Sequence, residues 1–215
     1  SVSFIKKLAS QTAIYGLSSM LGRFINFLLV IPHTHYLKTV GTFGDMTAIF
    51  AFIAFLNIIL TYGMETTYFN FIRKGYVPNQ IYAMAQKSIF VSTAIFSVFV
   101  LCFAAPCAAF LGYPGHLDLV YCCLIFLVFD TFSLLPFAKL RQEEKPLKFA
   151  MIKLANIGVN VTLNYIFLAH TPVFLVGYSQ VTLVLIANAA ASIVSFALLS
   201  PLAFKINYNF DKKIF

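Results

Sequence analysis

From Leu154 to Phe204 the chain contains no Asp, Glu, Lys or Arg. Two further windows, Met46–Met64 and Ser88–Gly115, are equally free of charge. Uncharged runs of this length restrict the possible folds severely. A helix needs about 20 apolar residues to cross roughly 30 Å of hydrocarbon, and a helix satisfies its own backbone hydrogen bonds there. The composition agrees. Soluble domains carry about 25% charged residues; this 215-residue chain has 10%, with 60% hydrophobic residues and a mean hydropathy of +0.88. That leaves too little polar surface to cover a soluble globule, so a soluble enzyme is excluded. The 25 Phe and 11 Tyr exclude a disordered chain. The fold class is therefore an all-α integral membrane protein.

Six transmembrane helices are predicted, near 8–36, 44–64, 82–111, 118–138, 148–169 and 178–204. Polar or turn-forming segments separate them: Lys38–Gly44, Arg73–Asn79, Gly112–Gly115, Arg141–Lys145 and His170–Gly177. Pro32, Pro106, Pro136 and Pro201 are expected near span ends, where a lost backbone hydrogen bond costs least. Lys6 and Lys7 ahead of an apolar stretch have the look of a secretory leader. The stretch runs on past Arg23 to Val30 without a small-x-small cleavage site, so it is read as a span.

The basic residues divide unevenly between the two sides. The loops joining spans 1–2, 3–4 and 5–6 hold only Lys38, whereas Arg73, Lys74, Arg141, Lys145, Lys148 and both chain ends lie opposite. The positive-inside rule then places both termini in the cytoplasm. The net charge of +8 follows from this topology and from attraction to anionic membrane lipids; it calls for no nucleic-acid partner. Cys107, Cys122 and Cys123 fall near the outer face, where buried free thiols are the simpler expectation than a disulfide.

The predicted helices are not apolar all round. Gly16, Ser19, Arg23 and Asn26 share one face of span 1, and Asn57, Thr61 and Glu65 share one face of span 2. Lys153, Asn156, Asn160 and Asn164 run along span 5, Asn188, Ser192 and Ser195 along span 6, and Asp130 interrupts span 4. Such residues either hydrogen-bond helix to helix or line a shared polar cavity. The repetition across several spans favours a cavity. Arg23 lies at mid-depth, with no other charge from Leu8 to Leu37. A charge there costs at least ~2.5–3.5 kcal/mol unless it faces protein or water. It is expected to pair with Asp130, to bind an anion in the cavity, or to switch between the two. Glu65 is expected at the interface. His33, His35, His116 and His170 fall at the outer face without a set of metal ligands around them. The motifs of P-loop ATPases, dinucleotide-binding folds, zinc proteases and serine hydrolases do not occur. The chain is read as a non-enzyme without a cofactor.

Three stretches carry a family resemblance: Asp130 through Pro136 and Arg141 to Phe149 (DTFSLLPFAKLRQEEKPLKF), Gly16 to Tyr36 with Arg23, Phe27 and Pro32, and Gly63 to Phe71 (GMETTYFNF). The chain resembles the polysaccharide flippases, the oligosaccharide-lipid branch of the multidrug/oligosaccharidyl-lipid/polysaccharide flippase superfamily. The resemblance implies two six-helix lobes facing each other across a cavity, of which residues 1–204 would form the N-terminal lobe and 205–215 the start of a cytoplasmic linker. A second six-helix lobe from the same polypeptide is the expected partner. The implied activity moves polyprenyl-pyrophosphate-linked oligosaccharide from the inner to the outer leaflet of the bacterial cytoplasmic membrane, by alternating access. H+ or Na+ would be the coupling ion. Arg23 would hold the pyrophosphate, supplemented by Lys153, since a guanidinium grips phosphate oxygens bidentately. Asn26, Asn57, Asn156, Asn160 and Asn164 would meet sugar hydroxyls, and Asp130 would be a switchable counter-ion. Relatives that flip the cell-wall precursor carry several cavity arginines; the single deep Arg23 favours an oligosaccharide. The alternatives are an organic-cation exporter of the same superfamily, for which Asp130 speaks, and a non-transporting membrane scaffold.

Overall fold

The computed structural model describes residues 40–204, together with Ala13, Ile14 and Gly16 in helical conformation. The rest of the predicted first span, including Arg23 and Asn26, and the predicted linker 205–215 lie outside the described residues. The elements in chain order are α1 (Val40–Thr61), α2 (Met64–Arg73), α3 (Pro78–Cys102), α4 (Ala104–Phe110), α5 (Leu117–Gln142), α6 (Pro146–Ala169), a 3-10 turn (Val173–Leu175) and α7 (Gln180–Phe204). No strand occurs among the described residues. Five helical runs are long and apolar enough to cross a membrane: Gly41–Arg73, Pro78–Cys102, Leu117–Gln142, Pro146–Ala169 and Gln180–Phe204. They follow the predicted spans 2 to 6 in order, and they make the chain a multi-pass membrane protein.

Two spans depart from the expected single helix. The span predicted to end at 64 is instead redirected and continues as α2 to Arg73. The redirection falls at Tyr62 (φ 31) and Gly63 (φ 69), both left-handed. A side chain at such a backbone angle costs roughly 1–2 kcal/mol, which glycine avoids. The span predicted over 82–111 begins earlier, with Pro78 in the first helical turn, and is divided into α3 and α4. Pro106 has no N–H to offer the carbonyl four residues back, and its ring crowds that carbonyl. That residue is Cys102, where α3 ends, so Pro106 accounts for the break.

Pro136 and Pro201 lie inside α5 and α7 rather than at their ends, and neither breaks its helix. Each frees a carbonyl four residues back, and each freed carbonyl has found another donor. Phe132 O accepts from Gln86 Nε2 of α3 at 3.2 Å. Ala197 O accepts from Ser200 Oγ at 2.7 Å. These side chains replace the bonds the prolines remove, as buried carbonyls require.

The bundle is organised around α5 and α7, the two most buried helices. α7 packs along α5 and α6, while α1 and α3 flank α5. One face of α5 places Leu135 and Ala138 against Ile81, Tyr82, Ala85 and Ile89 of α3 and Tyr68 of α2. Phe90 meets Phe132 edge-to-face and Phe132 meets Phe196 at a tilt, an aromatic group joining α3, α5 and α7. Tyr82 is 1% exposed, and its hydroxyl donates to Leu202 O at 3.0 Å. Lys139 Nζ lies 4.4 Å from the Tyr82 ring centroid, so its amphipathic stem packs where α5 runs past the predicted end at 138. Ile58, Ile95, Val98 and Met151 are exposed on the outside of the bundle, which is ordinary for a surface that meets lipid.

Candidate functional site

Asp130 sits midway along α5. Its Oδ2 accepts a hydrogen bond from Asn57 Nδ2 of α1 at 2.6 Å. The carboxylate is surrounded by the neighbouring helices, yet its side chain keeps an accessible edge. Lys153 of α6 is its electrostatic partner, without a direct ion pair between them among the described residues. Its ammonium lies 4.2 Å from the Phe137 ring centroid, an orientation that the aromatic face stabilises.

A second pair lies towards the end of the bundle that carries the basic residues. Arg141 Nη2 meets Glu65 Oε1 at 2.5 Å, joining α5 to α2. The guanidinium also lies 5.8 Å from the Phe69 ring and 5.9 Å from the Phe149 ring. Both charges of this pair act on Lys153. Asp130, Lys153, Glu65 and Arg141 thus form one electrostatic group of two acids and two bases, contributed by α5, α6 and α2. Formal neutrality lets such a group exist within an apolar bundle.

Of the residues expected at the site, Asn57, Asp130 and Lys153 come together. Arg23 and Asn26 lie outside the described residues, and with them the expected Arg23–Asp130 pair. Asn156, Asn160 and Asn164 are placed in the seam between α6 and α7, where hydrogen bonds occupy their amides. Asn156 Nδ2 donates to Ser195 Oγ at 2.9 Å, and Asn160 Nδ2 to Asn188 Oδ1 at 3.2 Å. Asn164 Nδ2 donates to Asn160 Oδ1 at 2.7 Å, and Asn188 Nδ2 to Val184 O at 2.9 Å. Asn160 and Asn164 are buried. The stripe on α6 and the weaker stripe on α7 therefore face each other. Bonds of this kind are worth about 0.6 kcal/mol on average and under ~2 kcal/mol at most. Asn160→Leu is accordingly expected to cost about 1 kcal/mol of unfolding free energy in lipid bicelles; a loss above ~2 kcal/mol would show a larger role than joining two helices.

Sequence reasoning had each of Asn57, Asp130, Lys153 and Glu65 on a helix but paired Asp130 only with Arg23. The Asn57–Asp130 bond, the Glu65–Arg141 pair and Gln86 were missed. An isolated polar residue in an apolar span is a signal for Asn57 and Asp130; Arg141 sits in a predicted polar separator and Gln86 beside Lys87, so neither carries that signal, and nothing in the sequence marks the choice of partner.

At the opposite end, Tyr113 Oη donates to Asp45 Oδ2 at 3.1 Å, and Thr182 Oγ1 donates to Asp118 Oδ2 at 3.1 Å. Burial, and then the hydrogen bond and charge of Asp45, push the Tyr113 phenol above its ordinary range, so it remains a protonated donor. His116 Nδ1 lies 3.6 Å from Asp118 Oδ1. Among the described residues no cluster of His, Cys, Asp and Glu could hold a metal ion, and the four cysteines are free thiols.

The chain matches no family model, no curated protein and no solved structure.

Proposed function

We propose that this chain is the N-terminal lobe of a transporter that flips polyprenyl-pyrophosphate-linked oligosaccharide across the cytoplasmic membrane. The supporting observation is the accessible Asp130–Asn57–Lys153 group at mid-depth in an otherwise apolar bundle. Ionisable groups are expensive at that depth and mark solute paths there more often than they serve packing. Lys153 and, on this reading, Arg23 meet the pyrophosphate. Asn57, bonded to Asp130, offers a hydrogen-bonding side chain beside the carboxylate, and the polyprenyl tail stays in lipid. The Asn156–Asn160–Asn164 seam holds α6 to α7 as one body, so it contributes rigidity rather than sugar contacts. A second six-helix lobe completes the cavity, and H+ or Na+ supplies the driving gradient. A scaffold has no need of an accessible carboxylate at this depth.

Asp130 also favours a second reading, export of an organic cation, because an accessible carboxylate attracts positive charge. One experiment separates the two. In the native gene product, Arg23→Ala should abolish surface polysaccharide while leaving protein level unchanged and cationic dye efflux unaffected. Retained polysaccharide would remove the anion-site reading. A fall in dye efflux on Asp130→Asn, with polysaccharide intact, would favour the exporter.

A further inference from the structure

An apolar groove of about 540 Å³ runs between α1, α3, α4 and α5, at the end of the bundle away from the basic residues. Phe52, Leu56, Phe96, Phe103, Cys107 and Leu124 are among its walls, and no charged, amide or hydroxyl side chain lines it. Its size falls within the roughly 300–1,000 Å³ of small-molecule sites. Pro106 is itself part of the lining, so the break it imposes after Cys102 gives the groove a separate wall, α4. Phe99, Phe103 and Phe110 are exposed as well as lining it, so the groove is open to the membrane.

What fills such a groove follows from its surroundings. Water does not occupy a cavity without polar partners, and the medium outside these spans is hydrocarbon. Hydrocarbon gains nothing from the hydrophobic effect on moving from lipid to protein, so selectivity for one lipid has to come from its headgroup. The groove ends beneath the Tyr113–Asp45 contact: Asp45 lies one helical turn before Ile49 of the lining, and Tyr113 follows Leu111 closely. Among the described residues the charged groups at this end are Asp45 and Asp118, with no Lys or Arg; Lys38, in the sequence leading into α1, lies outside the described residues.

We propose that the groove holds one acyl chain of a bilayer phospholipid whose amine-bearing headgroup is held at Asp45. The carboxylate attracts the ammonium and repels headgroups that carry only negative charge. The phenol of Tyr113 fixes the carboxylate through its hydrogen bond to Oδ2. This site is independent of the transport reading, since it is open to the membrane and shares no residue with the Asp130–Asn57–Lys153 group.

The chain contains no Trp, so a single introduced Trp reports on its own surroundings. Phe96→Trp places the reporter in the groove, and Ile95→Trp places one on the exposed surface of the same helix at the same depth. Phe52→Trp, across the groove on α1, repeats the measurement should Phe96→Trp fold poorly. Each full-length variant is reconstituted in phosphatidylcholine bilayers containing a minor fraction of chain-brominated phosphatidylethanolamine or chain-brominated phosphatidylglycerol. The groove Trp is expected to be quenched by the ethanolamine lipid as if its local fraction were about fivefold the bulk value, the enrichment that one opposite charge gives at a membrane surface. The glycerol lipid should give no enrichment, and Asp45→Asn should abolish the difference. Quenching equal to that at Ile95→Trp for both lipids would reduce the groove to ordinary lipid contact and overturn the proposal. So would the absence of quenching, which would mean that protein fills the groove, whether residues 1–39 of this chain or a second lobe.

Discussion

Asp130→Asn and Lys153→Met should each destabilise the bundle, and the double variant should recover most of the loss. Either single change leaves one charge without its counterpart at mid-depth, where an isolated charge is costly. The double variant removes both charges together, and Asn at position 130 still meets Asn57. Residues coupled in this way show interaction energies of about 0.5–3 kcal/mol, measurable from the four unfolding curves of a double-mutant cycle in bicelles. The transport reading makes a second demand: the double variant should be stable and yet inactive, with polysaccharide export reduced at least about tenfold, the equivalent of ~1.4 kcal/mol on the barrier. A stable double variant that exports normally would make the pair a device for holding the helices together and nothing more.

Gln86→Leu should cost about 1–2 kcal/mol, and Pro136→Ala should restore the loss in that background. The reason is a substitution already made within the fold. Pro136 deprives Phe132 O of its helical donor, and Gln86 Nε2 supplies another from α3. Leucine fills the same space but donates nothing, and a buried carbonyl left unpaired costs about 1–3 kcal/mol. The lower part of that range applies because Gln86 Oε1 has no partner among the described residues, so removing it offsets some of the loss. Alanine at position 136 returns an N–H to the i−4 carbonyl, after which the α3 donor is no longer needed. Additive effects of the two substitutions, in thermal unfolding, would break the proposed connection between proline and glutamine.

The contrast between these two places shows what was legible in the sequence. Long apolar runs separated by polar or turn-forming segments locate five spans because a membrane imposes its own length on a helix, and the 3.6-residue repeat puts Asn156, Asn160 and Asn164 on one face. Neither signal identifies what a face meets. The repeat on α6 looked the same whether it lined a cavity or matched Asn188 and Ser195 on α7, and only the packing distinguishes the two. Helix ends were harder. Basic residues from Lys139 onward place Pro136 near a helix end in the sequence, but Tyr82, Phe69 and Phe149 pack against Lys139 and Arg141, and the helix runs on to Gln142. The break after Cys102 was written in Pro106. The turn at Tyr62–Gly63 was not, since a lone glycine in an apolar run is common without any change of direction.

Tyr82 has a mechanical consequence. Its hydroxyl grips the last turn of α7 through Leu202 O, its ring supports Lys139 of α5, and its own backbone lies in the first turns of α3. Three helices meet at one residue close to where α7 ends. Tyr82→Phe would release the end of α7 while leaving the ring on Lys139, and so separates the clamp on α7 from the support of α5; its cost should stay at about 0.5–1.5 kcal/mol, that of one hydrogen bond.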